Sequence, residues 1–148
     1  MNNKEKVAMQ YYNDTLYDIM KKLGNGITDS IQLNKMGKKM FGNKYLGTFP
    51  SDLIPNEKNG YCVANLDNQY QSGSHWVAIV LTPPKMYVYD SFGRKTIKIL
   101  PRYKNTNIII KDADYDAEQN VKEENCGSRS LAWLNVWNKL GGNYAMLI

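Results

Sequence analysis

The chain of 148 residues holds one histidine, two cysteines and no long apolar run, and each scarcity excludes something. With His75 alone beside Cys62 and Cys126, a tetrahedral zinc site of the usual Cys/His kind cannot be assembled, so no metal or other required cofactor is expected. The longest apolar stretches, such as 76–81, fall far short of the ~20 residues that a membrane helix needs, so no membrane partner is expected. The first fourteen residues carry charges and no apolar segment of the kind a secretion signal requires. A reducing compartment with both thiols free is therefore the expectation. Acidic residues are outnumbered by Lys and Arg, 14 to 19, giving a net charge of +5 with a mild cluster at 35–44. A solvated basic surface accounts for that charge, and non-specific attraction to DNA is the reading it leaves open.

What is present suffices for a sizeable core. A hydrophobic content of 43% with 11% aromatics fits one domain over 1–148, divided into a helical N-terminal part, 1–43, and a core, 44–148; a monomer is expected. Val7, Tyr11, Leu16, Met20 and Leu23 recur at helical spacing and predict an amphipathic helix closed by Gly24-Asn25-Gly26. Thr28 or Asp29 can cap a second helix running to Met40, after which 45–55 reads as a loop. Strands are expected at 61–66, at 76–81 and 86–90 as a hairpin, and at 107–111. From Cys126 to Leu140 apolar residues fall on nearly every side, the mark of a buried helix, and Gly141-Gly142 stops it. The predicted class is α+β, a mostly antiparallel sheet packed against that helix.

His75 opens an apolar strand, where by itself a structural histidine is the commoner reading. The hairpin changes the balance. Pairing Leu81 with Met86 places His75 opposite Phe92 and diagonal to Asp90, so the imidazole and the carboxylate share a face about 7 Å apart at their Cβ atoms. Asp90 is by its local pattern a turn initiator in Asp-Ser-Phe-Gly. Cys126 starts the buried helix, where unpaired N–H groups and the helix dipole favour a thiolate; a buried structural cysteine is the competing reading. Asn125 can cap that helix, and Gly127 removes a side chain where a substrate backbone would approach the sulfur. Gln119 offers a side-chain amide to a developing oxyanion, with Asn120 as a substitute and the Cys126 N–H beside it. Nucleophile, base and orienter thus occur in the order His, Asp, Cys, a set suited to acyl transfer through a thiol.

Four segments carry a resemblance. They are Tyr45-Leu46-Gly47-Thr48-Phe49 with Pro55 after it, Gly73-Ser74-His75-Trp76-Val77-Ala78, Tyr87-Val88-Tyr89-Asp90-Ser91-Phe92-Gly93, and the stretch from Gln119 to Asn125-Cys126-Gly127. In order and spacing they resemble the adenovirus maturation protease (adenain) family of the ubiquitin-like-protein protease clan. The resemblance implies His75, Asp90 and Cys126 as the catalytic set, Gln119 at the oxyanion, and Gly73, Trp76, Asn125 and Gly127 around the substrate. It implies a thiol endopeptidase that cuts viral capsid or other virion precursors at small, often glycine-containing, sites, acting in the virion and in the host cytoplasm or virus factory. An activating viral peptide and DNA are partners that the family implies. The acid is Asp here, as in the SUMO-protease branch, where adenain has Glu, and residues 102–111 lack a cysteine for a disulfide to such a peptide. With the additional N-terminal helix, these departures resemble proteases of virophages or related double-jelly-roll DNA viruses. Two other readings stay open, an enzyme acting on ubiquitin-like conjugates and a non-catalytic basic protein that binds DNA or a partner.

Overall fold

The N-terminal periodicity becomes α1, Asn3–Leu23, capped by the Asn2 side chain on the Glu5 N–H at 2.8 Å and ended by Gly24 at φ 86°. Of the two caps read for the second helix, Asp29 is the one used. In α2, Ser30–Phe41, its carboxylate accepts the Gln32 N–H at 2.8 Å while the Gln32 side chain accepts the Asp29 N–H at 3.0 Å. The computed structural model describes residues 2–114 and 116–148 of the chain.

The stretch read as a loop over 45–55 begins instead with a strand, β1, Tyr45–Phe49, followed by a 3-10 turn at Ser51–Leu53. Gly47 and Pro50 gave the local signal of a turn. The strand forms because it finds a partner in the next strand, lying parallel to β2, Gly60–Asn65, across the connection through 50–59. β3, Trp76–Thr82, and β4, Lys85–Tyr89, form the expected hairpin, closed by Pro83 and Pro84 with Leu81 opposite Met86 and Thr82 opposite Lys85. β5, Ile109–Asp112, completes a sheet of order β1-β2-β3-β4-β5.

The fold is α+β. Its sheet is mixed rather than mostly antiparallel: the inner pairings β2–β3 and β3–β4 are antiparallel and both edge pairings are parallel. The parallel edges follow from the connections. Residues 90–108, which include the short α3, Thr96–Ile99, and a 3-10 turn at Pro101–Tyr103, carry the chain back before β5 begins.

Alternation along the strands sends Tyr61, Val63, Ala78, Val80 and Tyr89 to one face, and Cys62, Ala64, Val77, Ile79, Leu81, Met86 and Val88 to the other. The second face is roofed by Ile54, Leu100 and Tyr103. Burial on both sides explains why β3 reads as an unbroken apolar run. On the first face lies α4, Cys126–Leu140, with the bounds expected of it, ended by Gly141 at φ 92° and followed by the short α5, Gly142–Ala145. Ala8, Tyr12 and Leu16 of α1 and Leu33 of α2 join the cluster around Leu131, Trp133 and Leu134, so α4 is enclosed by the sheet and both N-terminal helices. That enclosure is why its apolar residues surround the axis. No helix among the described residues is long and apolar enough to cross a membrane.

Candidate active site

His75 stands just before β3, its backbone held by the Leu66 N–H on its carbonyl at 3.0 Å. Asp90 follows the last residue of β4. The hairpin register brings the two side chains together across the strands, His75 Nε2 lying 2.6 Å from Asp90 Oδ1 with both groups buried. Asp90 also opens the turn that its sequence suggested, accepting the Phe92 N–H at 3.3 Å and the Arg94 N–H at 3.0 Å. Turn initiator and imidazole orienter are thus one side chain.

Cys126 is the first residue of α4, where backbone N–H groups lack helical acceptors. Its sulfur accepts the Trp76 N–H at 3.4 Å and stands within interaction range of His75. Because Nε2 is engaged by Asp90, the other ring nitrogen is the one left for the thiol. Burial would raise the thiol, but the His75 hydrogen bond and charge, with the N–H groups of Trp76 and Gly127, outweigh it and hold Cys126 below the usual thiol value. Burial would likewise lower His75, yet its hydrogen bonds to Asp90 and Cys126 raise it. Burial disfavours the charged Asp90 too, and His75 and Arg94 overcome that and keep the carboxyl well below its ordinary range. All three shifts favour a thiolate–imidazolium pair backed by a carboxylate.

A cleft of about 700 Å³ opens onto this pair. Its walls include Gly73, His75, Trp76, Gln119 and Cys126, together with Thr28, Phe49 and Phe92. Phe92 stacks on the imidazole with ring centroids 4.9 Å apart, which covers one face of the ring. Gln119 is buried and tied at both ends, its Oε1 accepting from Ser91 Oγ at 2.6 Å and its Nε2 donating to the Glu123 carbonyl at 2.7 Å. A carboxamide has two N–H donors, so the bond to Glu123 leaves one unused on a side chain that lines the cleft. Asn120, read as its substitute, is exposed and among the described residues bonds within its own turn, to Lys122 and Glu123.

Two expectations about the helix start are corrected. Asn125 occupies the cap position, but its side chain caps nothing: Oδ1 accepts from Arg129 Nε at 3.1 Å and Nδ2 approaches Met20 Sδ at 3.7 Å. The neighbouring arginine outcompetes the helix N–H groups for that oxygen. Gly127 does not open space toward substrate either, because a Cβ there would overlap Thr28 Oγ1 and stand 2.9 Å from Leu33. Its missing side chain admits the segment before α2. Cys62 is free, as is Cys126, and lies in the apolar layer beneath the sheet, where burial pushes its thiol up to about 12 and leaves it inert.

No protein-family model matches the chain, and no curated protein matches it.

Behind the cleft runs a buried polar chain that sequence spacing did not reveal. Arg129 donates to Tyr12 Oη at 3.2 Å, Tyr12 and Tyr89 share a hydrogen bond of 2.6 Å, and Tyr89 donates to Glu118 at 2.9 Å. It ties α1, β4 and α4 to the segment carrying Gln119. Burial pushes Glu118 up to about 8, with Asp116 adding and the Tyr89 bond and Arg129 opposing. A carboxyl whose folded value exceeds its unfolded one contributes stability below the unfolded value and loses it as pH rises through the folded one. Thermal stability should therefore decline between about pH 4.5 and pH 8, and Glu118→Gln should flatten that decline in melting curves taken across the range. An unchanged slope in the variant would assign the decline to other groups.

Proposed function

We propose that the protein is a cysteine endopeptidase of the adenovirus-protease type. The observation that supports this best is Cys126 at the tip of α4, on the same cleft as His75 and within its influence, with His75 held by a buried Asp90 at 2.6 Å. The thiolate attacks the scissile carbonyl carbon, the C–S bond forms and charge moves to the oxygen, where the Cys126 N–H and the Gln119 amide can donate. The imidazolium then passes its proton to the leaving amine as the C–N bond breaks, giving a thioester. Water, deprotonated by His75, releases the acyl group and restores the thiol. Asp90 stays ionised and keeps the ring oriented.

The substrates in this reading are virion precursor proteins cut at small, glycine-containing sites, with a viral peptide and DNA as activating partners. The test is incubation of wild type, Cys126→Ala and iodoacetamide-treated protein with double-jelly-roll capsid precursors, a mixed peptide library and diglycine-linked ubiquitin-like conjugates, with and without DNA, read by mass spectrometry. Discrete cuts after small residues in precursors or peptides, absent from both controls, are expected. Cleavage confined to the conjugates would move the assignment to a ubiquitin-like-protein protease, and no thiol-dependent cut in any arm would replace the enzyme with a binding protein.

A further inference from the structure

Arg94 was not among the residues that the sequence singled out, yet it makes more contacts to Asp90 than His75 does. Its Nε donates to Oδ2 at 2.7 Å, its Nη2 to Oδ1 at 3.3 Å and its backbone N–H to Oδ2 at 3.0 Å. The Asp90 side chain is 1% exposed and that of Arg94 42%, so the guanidinium caps the carboxylate from the solvent side. The same guanidinium lies over the Phe92 ring, 5.2 Å from its centroid, and Phe92 in turn stacks on His75. Phe92 thus touches both Arg94 and His75, and Asp90 bonds to both.

We propose that Arg94 is a positioning residue of the triad, which locks Asp90 with one oxygen on His75 and offsets part of the pull that this carboxylate exerts on the imidazolium. A surface ion pair whose only role is to close a turn would need one contact, whereas Arg94 engages both carboxylate oxygens with a planar fork. The offset matters because His75 must give its proton to the leaving amine. An imidazolium held too tightly by an uncompensated carboxylate is a poorer acid. The inference rests on the peptidase reading for its catalytic consequence, while its electrostatic content can be measured without any substrate.

His75 is the only histidine of the chain, so in untagged protein its ring protons can be followed by NMR without ambiguity. Titrating Cys126→Ala removes the thiol from the coupling. Adding Arg94→Gln to that background should raise the His75 midpoint by roughly half a pH unit, a modest value because Arg94 is partly solvated. Arg94→Lys, which keeps the charge but not the fork, should leave the midpoint within about half of that shift. With Cys126 intact, Arg94→Gln should lower kcat about tenfold with KM within about twofold, and Arg94→Lys should recover part of the loss. A midpoint that stays in place or falls in folded Arg94→Gln protein overturns the proposal, even if activity drops. A raised midpoint together with no cleavage by wild type on any substrate would sustain the Arg94 assignment and sink the peptidase reading instead.

Discussion

Replacing His75 with alanine should lower kcat/KM on a cleaved peptide by about 10^5-fold or more, because in the peptidase reading nucleophile and base act as one unit and losing either removes nearly the whole of their joint effect. The same substitution should be visible without substrate. In wild type the His75 hydrogen bond and charge hold Cys126 below the usual thiol value against a burial that opposes ionisation. With the imidazole gone, burial is left to dominate and the thiol rises, so alkylation by iodoacetamide near pH 6.5 should slow by about tenfold or more. The sign is unambiguous: a lowered thiol is ionised at a pH where an unassisted one is not. Mass spectrometry of Cys126 over time measures the rate, and an alkylation rate equal to that of wild type would mean that His75 does not set the state of the thiol.

Gly127→Ala should destabilise the fold by about 3 kcal/mol, toward the upper end for overpacking a core, and should lower activity in the protein that still folds. The added methyl meets Thr28 Oγ1 and stands 2.9–3.0 Å from two Leu33 carbons, on the buried flank where the segment before α2 lies against α4. That segment also receives the Trp76 indole N–H, on the Thr28 carbonyl at 3.1 Å. Relief by pushing Thr28 outward would therefore disturb Trp76, whose own backbone N–H is bonded to the Cys126 sulfur. Chemical denaturation gives the stability change, and a loss below about 1 kcal/mol would show that Thr28 and Leu33 yield easily.

The elements with local signatures were legible in the sequence. α4 declared itself by apolar residues on all sides, and the β3–β4 register followed from an even turn, which is why the His75 and Asp90 pairing could be read from spacing alone. β1 was hidden because it is short, contains Gly47 and is followed at once by Pro50, so its local pattern reads as a turn while its pairing with β2 is not written in its own residues. The misreadings of Asn125 and Gly127 share a cause. Both were judged from the helix start alone, while Arg129 and Thr28, which decide what they do, sit on the far side of α4's first turn and on the segment before α2. Arg94 could have been found: an arginine four residues after a turn-opening aspartate can fold back onto it. The chain from Arg129 through Tyr12 and Tyr89 to Glu118 joins residues as much as 117 positions apart, and no local pattern encodes it.

His75 stands at the start of a strand and Cys126 at the start of the helix packed over the sheet, and away from the site these two layers are held apart by apolar filling. In the peptidase reading, the gap across which the proton passes is therefore gauged in part by side chains with no chemistry of their own. Near the site the Ser130 hydroxyl donates within α4 to the Cys126 carbonyl at 2.8 Å and lies 3.4 Å from the Trp76 carbonyl of the sheet. Further along α4 the spacing is left to Leu131, Leu134 and the indole of Trp133, stacked on Tyr89 at 5.5 Å. These residues work as shims, and a change in their bulk would retune the reactive pair from a distance while leaving every polar group of the site in place.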